Sequence, residues 1–200
     1  MSFFIDIIAA IIAGGIIIFT IITSLFNVRQ TSHNIEAFLT VNNNANHITK
    51  IIDNVYLEKV GLNLNYDEIA TLTASRTEFQ FTYKNFPNDI NLQTYHLQML
   101  TDENNNNFLV VTLNGVEEFN SHPFFFESRN IFSYFDENFN TINFVGSTIP
   151  NNLLENIYGT QVELVFISDA WSNDANQQIR YPLTFWRYFK NVYLVKARVL

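Results

Sequence analysis

Two hundred residues with 48% hydrophobic and 16% aromatic side chains are enough for one packed domain and exclude wholesale disorder, which is poor in aromatics and rich in charge. The net charge of −8 argues against nucleic acid as a partner, because a phosphate backbone calls for clustered Lys and Arg. With no cysteine, disulfide scaffolds, thiolate metal sites and cysteine nucleophiles are all ruled out.

The first element is apolar. Residues 7–26 carry no charge and consist mainly of Ile, Ala, Gly, Phe and Thr. As a helix rising about 1.5 Å per residue they extend about 30 Å, the thickness of a bilayer's hydrocarbon core. A cleavable signal peptide has a basic start, a shorter apolar stretch and a small-residue exit. Here no Lys or Arg precedes the run, and Thr23-Ser24-Leu25-Phe26-Asn27 is a poor exit. The reading is therefore an uncleaved transmembrane helix. Arg29 follows the span and no positive charge precedes it, so charge gives no support for an outward-facing domain.

Beyond Phe26 the composition changes but the helical period continues. Val28, Ile35, Phe38, Leu39, Ala45, Ile48, Ile51, Ile52, Val55 and Val60 recur mostly three and four apart, with Arg29, Glu36, Lys50, Asp53 and Glu58 on other faces. Gly61 is the first glycine after the span and marks the expected stop. The asparagine-rich run 41–46 is a weak helix segment and a candidate interruption. Residues 3–60 thus read as one rod about 85 Å long. Its second half needs a covering surface along one side, which the remaining chain is expected to supply.

That remainder is mostly strand. Residues 78–83 alternate with period two, as do parts of 92–100; 108–113 is a continuous apolar run, 124–135 is rich in aromatics, and 161–167 and 181–195 complete the set. Turn residues separate them at 85–88, 102–107, 114–115, 136–138 and 172–176. No helices alternate with these strands. The expected class is α+β, one long N-terminal helix packed on an antiparallel sheet. The domain reading is 1–27 for the transmembrane half of the helix, 28–61 for its amphipathic half, and 62–200 for a β-rich domain.

This order resembles the type IV pilin superfamily, and in particular the minor pseudopilins of type II secretion and the minor pilins of type IV pili. Asp6 is the only charge before Arg29, and if Met1 is removed it becomes the fifth residue, with Phe3 the second. Pilins usually carry an acid at the fifth mature position. Thr77-Glu78-Phe79-Gln80-Phe81-Thr82-Tyr83, then Ile131-Phe132-Ser133-Tyr134-Phe135-Asp136, then Val162-Glu163-Leu164-Val165-Phe166 follow in the family's order. The resemblance implies a membrane-anchored filament subunit with its domain on the extracytoplasmic side of a bacterial inner membrane, later periplasmic or extracellular. Its implied partners are copies of itself or other pilin-like subunits. It also implies that Asp6 neutralises the N-terminal amine of a neighbouring subunit. The sequence departs from the family in lacking a basic leader that ends in Gly, a proline in the apolar half, and a C-terminal disulfide. Either a leader was removed ahead of this numbering or the chain is a leaderless relative.

The candidate assembly residues are Phe3, Asp6, Ala9, Ala10, Ala13, Gly14 and Gly15. The small ones permit close helix–helix approach; ordinary single-span composition is the alternative. For Asp6 the alternative is an acid in the first turn favoured by the helix dipole. Basic residues dominate after Asp174, among them Arg180, Arg187, Lys190 and Lys196. They suit either head-to-tail contacts between subunits or cross-strand pairs with acids such as Glu117, Glu127 or Glu163.

No catalytic constellation is legible. His33, His47, His96 and His122 lack metal-ligand spacing, and no nucleophile elbow or phosphate-binding glycine loop occurs. A non-enzymatic protein without cofactor or metal is expected, calcium at 102–103 or 169–174 being the only metal weighed. The rival reading is a single-span envelope protein whose β-rich domain serves a non-filamentous complex.

Overall fold

A computed structural model describes residues 2–122, 124–169 and 178–197. Helix α1 (Ser2–Lys50) passes into a π-helical turn (Ile51–Tyr56) and a 3-10 turn (Leu57–Lys59). Among the described residues nine strands follow: β1 (Thr71–Ala74), β2 (Glu78–Tyr83), β3 (Gln93–Thr101), β4 (Asn107–Leu113), β5 (Val116–Asn120), β6 (Phe125–Phe126), β7 (Phe132–Phe135), β8 (Gly159–Asp169) and β9 (Gln178–Tyr188). A short α2 (Asn151–Leu154) precedes β8, and α3 (Lys190–Ala197) follows β9. The class is α+β, as the sequence indicates. Contacts divide the chain into two units, Met1–Thr40 with Asp169–Ile179, and Val41–Ser168 with Arg180–Leu200.

In the second unit the sheet runs β1-β2-β3-β4-β6-β8-β7, with β5 on β4 and β9 on β8. The observed pairings are antiparallel, and their register explains the core. Phe79 faces Leu97, which faces Val111; Phe81 faces Tyr95; and Met99 faces Leu109. These side chains share one face of the sheet and are all buried, as period-two alternation requires. Val41, Ala45, Ile48, Ile52 and Tyr56 join the same cluster. Asn114 and Gly115, at φ 51° and 85°, close the β4–β5 hairpin in the geometry that an Asn-Gly pair prefers.

The helix end is fixed by close approach. Gly61 takes φ 69°, a left-handed conformation open to glycine. A Cβ there would lie 2.8 Å from Val192 Cγ2, so the packing of α3 also demands glycine. Asn191 Nδ2 donates to the carbonyls of Glu58 and Val60, satisfying acceptors that the terminating helix leaves open.

Two expectations are corrected and one open alternative is closed. The asparagine-rich run does not interrupt α1, because Val41 and Ala45 are anchored in the core and outweigh weak local propensity. The apolar stripe is not buried throughout: Val28, Ile35, Phe38 and Leu39 are exposed, and burial begins at Val41. The stretch 181–195 is not one strand. After Tyr188 the chain turns into α3, where Val192 rather than an alternating set is buried. The turn expected at 172–176 lies outside the described residues.

Candidate functional site

The candidate assembly residues all lie in the first part of α1. Phe3 is 75% exposed, and Asp6, Ala9, Ala10, Ala13 and Gly15 are exposed too, with Gly14 half-buried. At about 3.6 residues per turn, Phe3, Asp6, Ala9, Ala10, Ala13 and Gly14 fall on one side of the helix, and Gly15 falls on the other. A Cβ added at Gly14 or Gly15 would meet nothing within 4 Å, so nothing in this chain requires glycine there. Asp6 sits beyond the first turn of a helix that begins at Ser2, where the dipole's benefit has already fallen off.

The same side continues through Thr20, Ser24, Asn27 and Thr31, a line of small polar residues that the sequence reading did not single out. Their three- and four-residue spacing was the available signal. Thr20 Oγ1 donates to Ile16 O, Thr23 Oγ1 to Phe19 O and Thr31 Oγ1 to Asn27 O, at 2.8, 2.9 and 2.8 Å. Back-bonded hydroxyls of this kind need no water, so they can sit in hydrocarbon without orphaned donors. The helix is long and apolar enough to cross a membrane, and none of its most apolar window is buried.

Two arginines of the C-terminal part pair with acids of the fold. Arg180 Nη2 lies 3.1 Å from Glu127 Oε1, an acid named from sequence, though it sits just past the end of β6 rather than across a strand pair. Arg187 lies 3.3 Å from Asp53 Oδ1 and 3.5 Å from Glu58 Oε2, fastening β9 to the end of the helix. The Asp53 contact has the distance of an ion pair but not the angle of a hydrogen bond. Lys84 is buried and pairs with Glu68 at 2.7 Å. Burial alone would raise the Glu68 carboxyl, but the Asn65 N–H and the Lys84 ammonium outweigh it and hold the group below its usual range.

The loop at 102–106, weighed for calcium, has a different use for its acid. Asp102 Oδ1 accepts from the N–H groups of Asn104 and Asn106, and its Oδ2 accepts from Asn106 Nδ2. These bonds, the Asn106 N–H first, hold the carboxyl below the usual range. Residues 136–140 repeat the arrangement: Asp136 accepts from Asn138 N, Asn140 N and Asn140 Nδ2, and is likewise lowered, chiefly by Asn140. Both loops read Asp-Glu-Asn-x-Asn, and each x residue has positive φ. Among the described residues no three of His, Asp and Glu gather in a way that would hold a metal ion. The stretch 170–174 lies outside the described residues.

These features define an α+β protein with one N-terminal helix long and apolar enough to span a membrane. Protein-family models, curated proteins and solved structures were compared with the chain, and none matches it.

Proposed function

We propose that this protein is a structural, non-enzymatic subunit of a pilus-like or pseudopilus-like filament. Before assembly, α1 holds it in a bacterial inner membrane with its β-rich domain outside. On assembly the same helix surface leaves lipid and packs against copies of itself or related subunits. The observation that carries the reading is the uncovered apolar window of α1, with Asp6 the single charge on its small-residue side. A lone carboxylate in an apolar environment needs a cation, because an unpaired buried charge is very costly. A neighbour's terminal amine would supply it. Lipid is already apolar, so moving the helix into a bundle gains little hydrophobic energy. Shape fit along Ala9, Ala10, Ala13 and Gly14, together with the Asp6 pair, then sets the register.

The test is Asp6→Ala in cells. Membrane insertion should be unchanged, while cysteine crosslinking through the helix yields at least tenfold fewer multimers. Undiminished multimers would remove the charge-pairing mechanism. A chain that never yields multimers through α1, wild type included, belongs to a non-filamentous envelope complex instead.

A further inference from the structure

Arg76 sits in the turn between β1 and β2. That turn is clamped from the far side of the sheet: the buried Tyr134 hydroxyl lies 2.9 Å from Ser75 O and 3.0 Å from Glu78 O, and Ile131 N donates to Arg76 O at 2.8 Å. The Arg76 guanidinium lies over the Phe144 ring, 5.8 Å from its centre. It opens on a pocket of about 240 Å³ lined also by Asn130, Ser133, Thr141 and Asn143, with no acid in the lining. Arg180 and Arg187 each have carboxylate partners. Among the described residues, no acid forms an ion pair with Arg76. Arg76 is solvent-exposed, as are Asn130, Ser133, Thr141 and Asn143, and the groups it meets are an aromatic ring and neutral amides and hydroxyls.

We propose that this pocket is a carboxylate-binding site, with Arg76 as the charged anchor and the Asn130, Ser133, Thr141 and Asn143 side chains as neutral donors. A guanidinium lying over a ring keeps its N–H edge free, and that fork matches the two oxygens of a carboxylate. Phosphate fits less well. It calls for more than one cation or a nest of free backbone N–H groups. Here the N–H groups of Ile131, Phe132 and Ile142 are already spent on the carbonyls of Arg76 and Tyr134. The volume suits a carboxylate on a short body, either a small free acid or the acidic side chain of a second copy. The site stands independently of the filament reading.

The test uses the full chain, labelled with 15N-arginine, in neutral detergent micelles. The Arg76 Nε–H resonance is assigned by its loss in Arg76→Gln. Propionate should shift it saturably, and calorimetry on Arg76→Lys should show at least tenfold weaker propionate binding with an unchanged melting curve. If propionate leaves the resonance unmoved but unlabelled copies of the chain shift it, the carboxylate comes from a second copy and the site stands. Tighter binding of inorganic phosphate than of propionate overturns the carboxylate assignment. No response to propionate or to added copies overturns the site itself. A wild-type chain that gives no helix crosslinks while Arg76 still binds propionate would sink the filament reading alone.

Discussion

Helix α1 places the same kind of residue in two different situations. Ile17 is 59% exposed, and Ile52, in the π-helical turn that continues the helix, is fully buried. Both lie in unbroken helical backbone, so helix formation alone does not decide which apolar residues become core. What decides it is whether the chain supplies a second surface. The sheet's inner face, from Phe79 to Val111, is filled by Val41, Ala45, Ile48, Ile52 and Tyr56. The most apolar window of α1 has no such cover among the described residues. The lesson is that an apolar stripe predicts a need for cover and leaves open who provides it.

The sharpest way to break this comparison is to truncate one isoleucine from each part. Ile52→Ala should destabilise the folded domain by roughly 2–5 kcal/mol, the usual cost of a core cavity. Ile17→Ala should leave the domain's unfolding midpoint unchanged, since its side chain contributes nothing to that core. Urea denaturation of both variants in micelles, followed by near-UV circular dichroism, measures the difference. Equal losses would mean that the two parts share one core after all.

A smaller effect sharpens the buried side of the comparison. Burial, and then the nearby Glu118 charge, push the Tyr56 hydroxyl from 10.0 to about 12. A raised pKa means the folded state holds the proton longer than the unfolded state does. Its stabilising contribution is complete below pH 10 and is lost as pH rises through about 12. The stability gap between wild type and Tyr56→Phe should therefore shrink between these two values. A gap that stays constant would place Tyr56 in water. Tyr95 and Tyr134, also raised by burial, keep some alkaline sensitivity in the variant.

Much of this was legible in the sequence because it follows from short-range rules. The apolar run, the Gly61 stop, strand 78–83 and the Asn-Gly hairpin each follow from composition or a single dihedral. The limits of burial along α1 were not legible, because they depend on where the sheet finds partners. The strand-to-helix switch after Tyr188 was missed for a similar reason: Val192 is drawn in by Gly61, more than a hundred residues earlier. The Arg76 pocket assembles residues from a turn, from β7 and from the 141–144 segment, and no local pattern announces such a meeting. The twin Asp-Glu-Asn-x-Asn loops were visible as letters. Both were read as turns, and the hydrogen bonds of Asp102 and Asp136 bear that out; that the two share one spacing was not singled out.

Those twin loops give the smallest effect and the cleanest internal control. Asn105 takes φ 63° and Phe139 takes φ 62° at the same position of the motif. Asparagine tolerates the left-handed region because its short polar side chain can bond locally, whereas an aromatic residue there is strained. Phe139 is 63% exposed, and its ring lies 5.5 Å from that of Tyr188, centre to centre. Relief of backbone strain and loss of that contact oppose each other. An exposed ring pair contributes about 0.5–1.5 kcal/mol, and a residue in an unfavourable dihedral region costs about 1–3 kcal/mol. Phe139→Asn should therefore stabilise the domain, by about 1 kcal/mol at the middle of those ranges, while the reciprocal Asn105→Phe should destabilise it, both read as shifts in urea midpoint. If Phe139→Asn destabilises instead, the Tyr188 contact outweighs the strain, and Phe139 stands in that loop as an anchor for the end of β9.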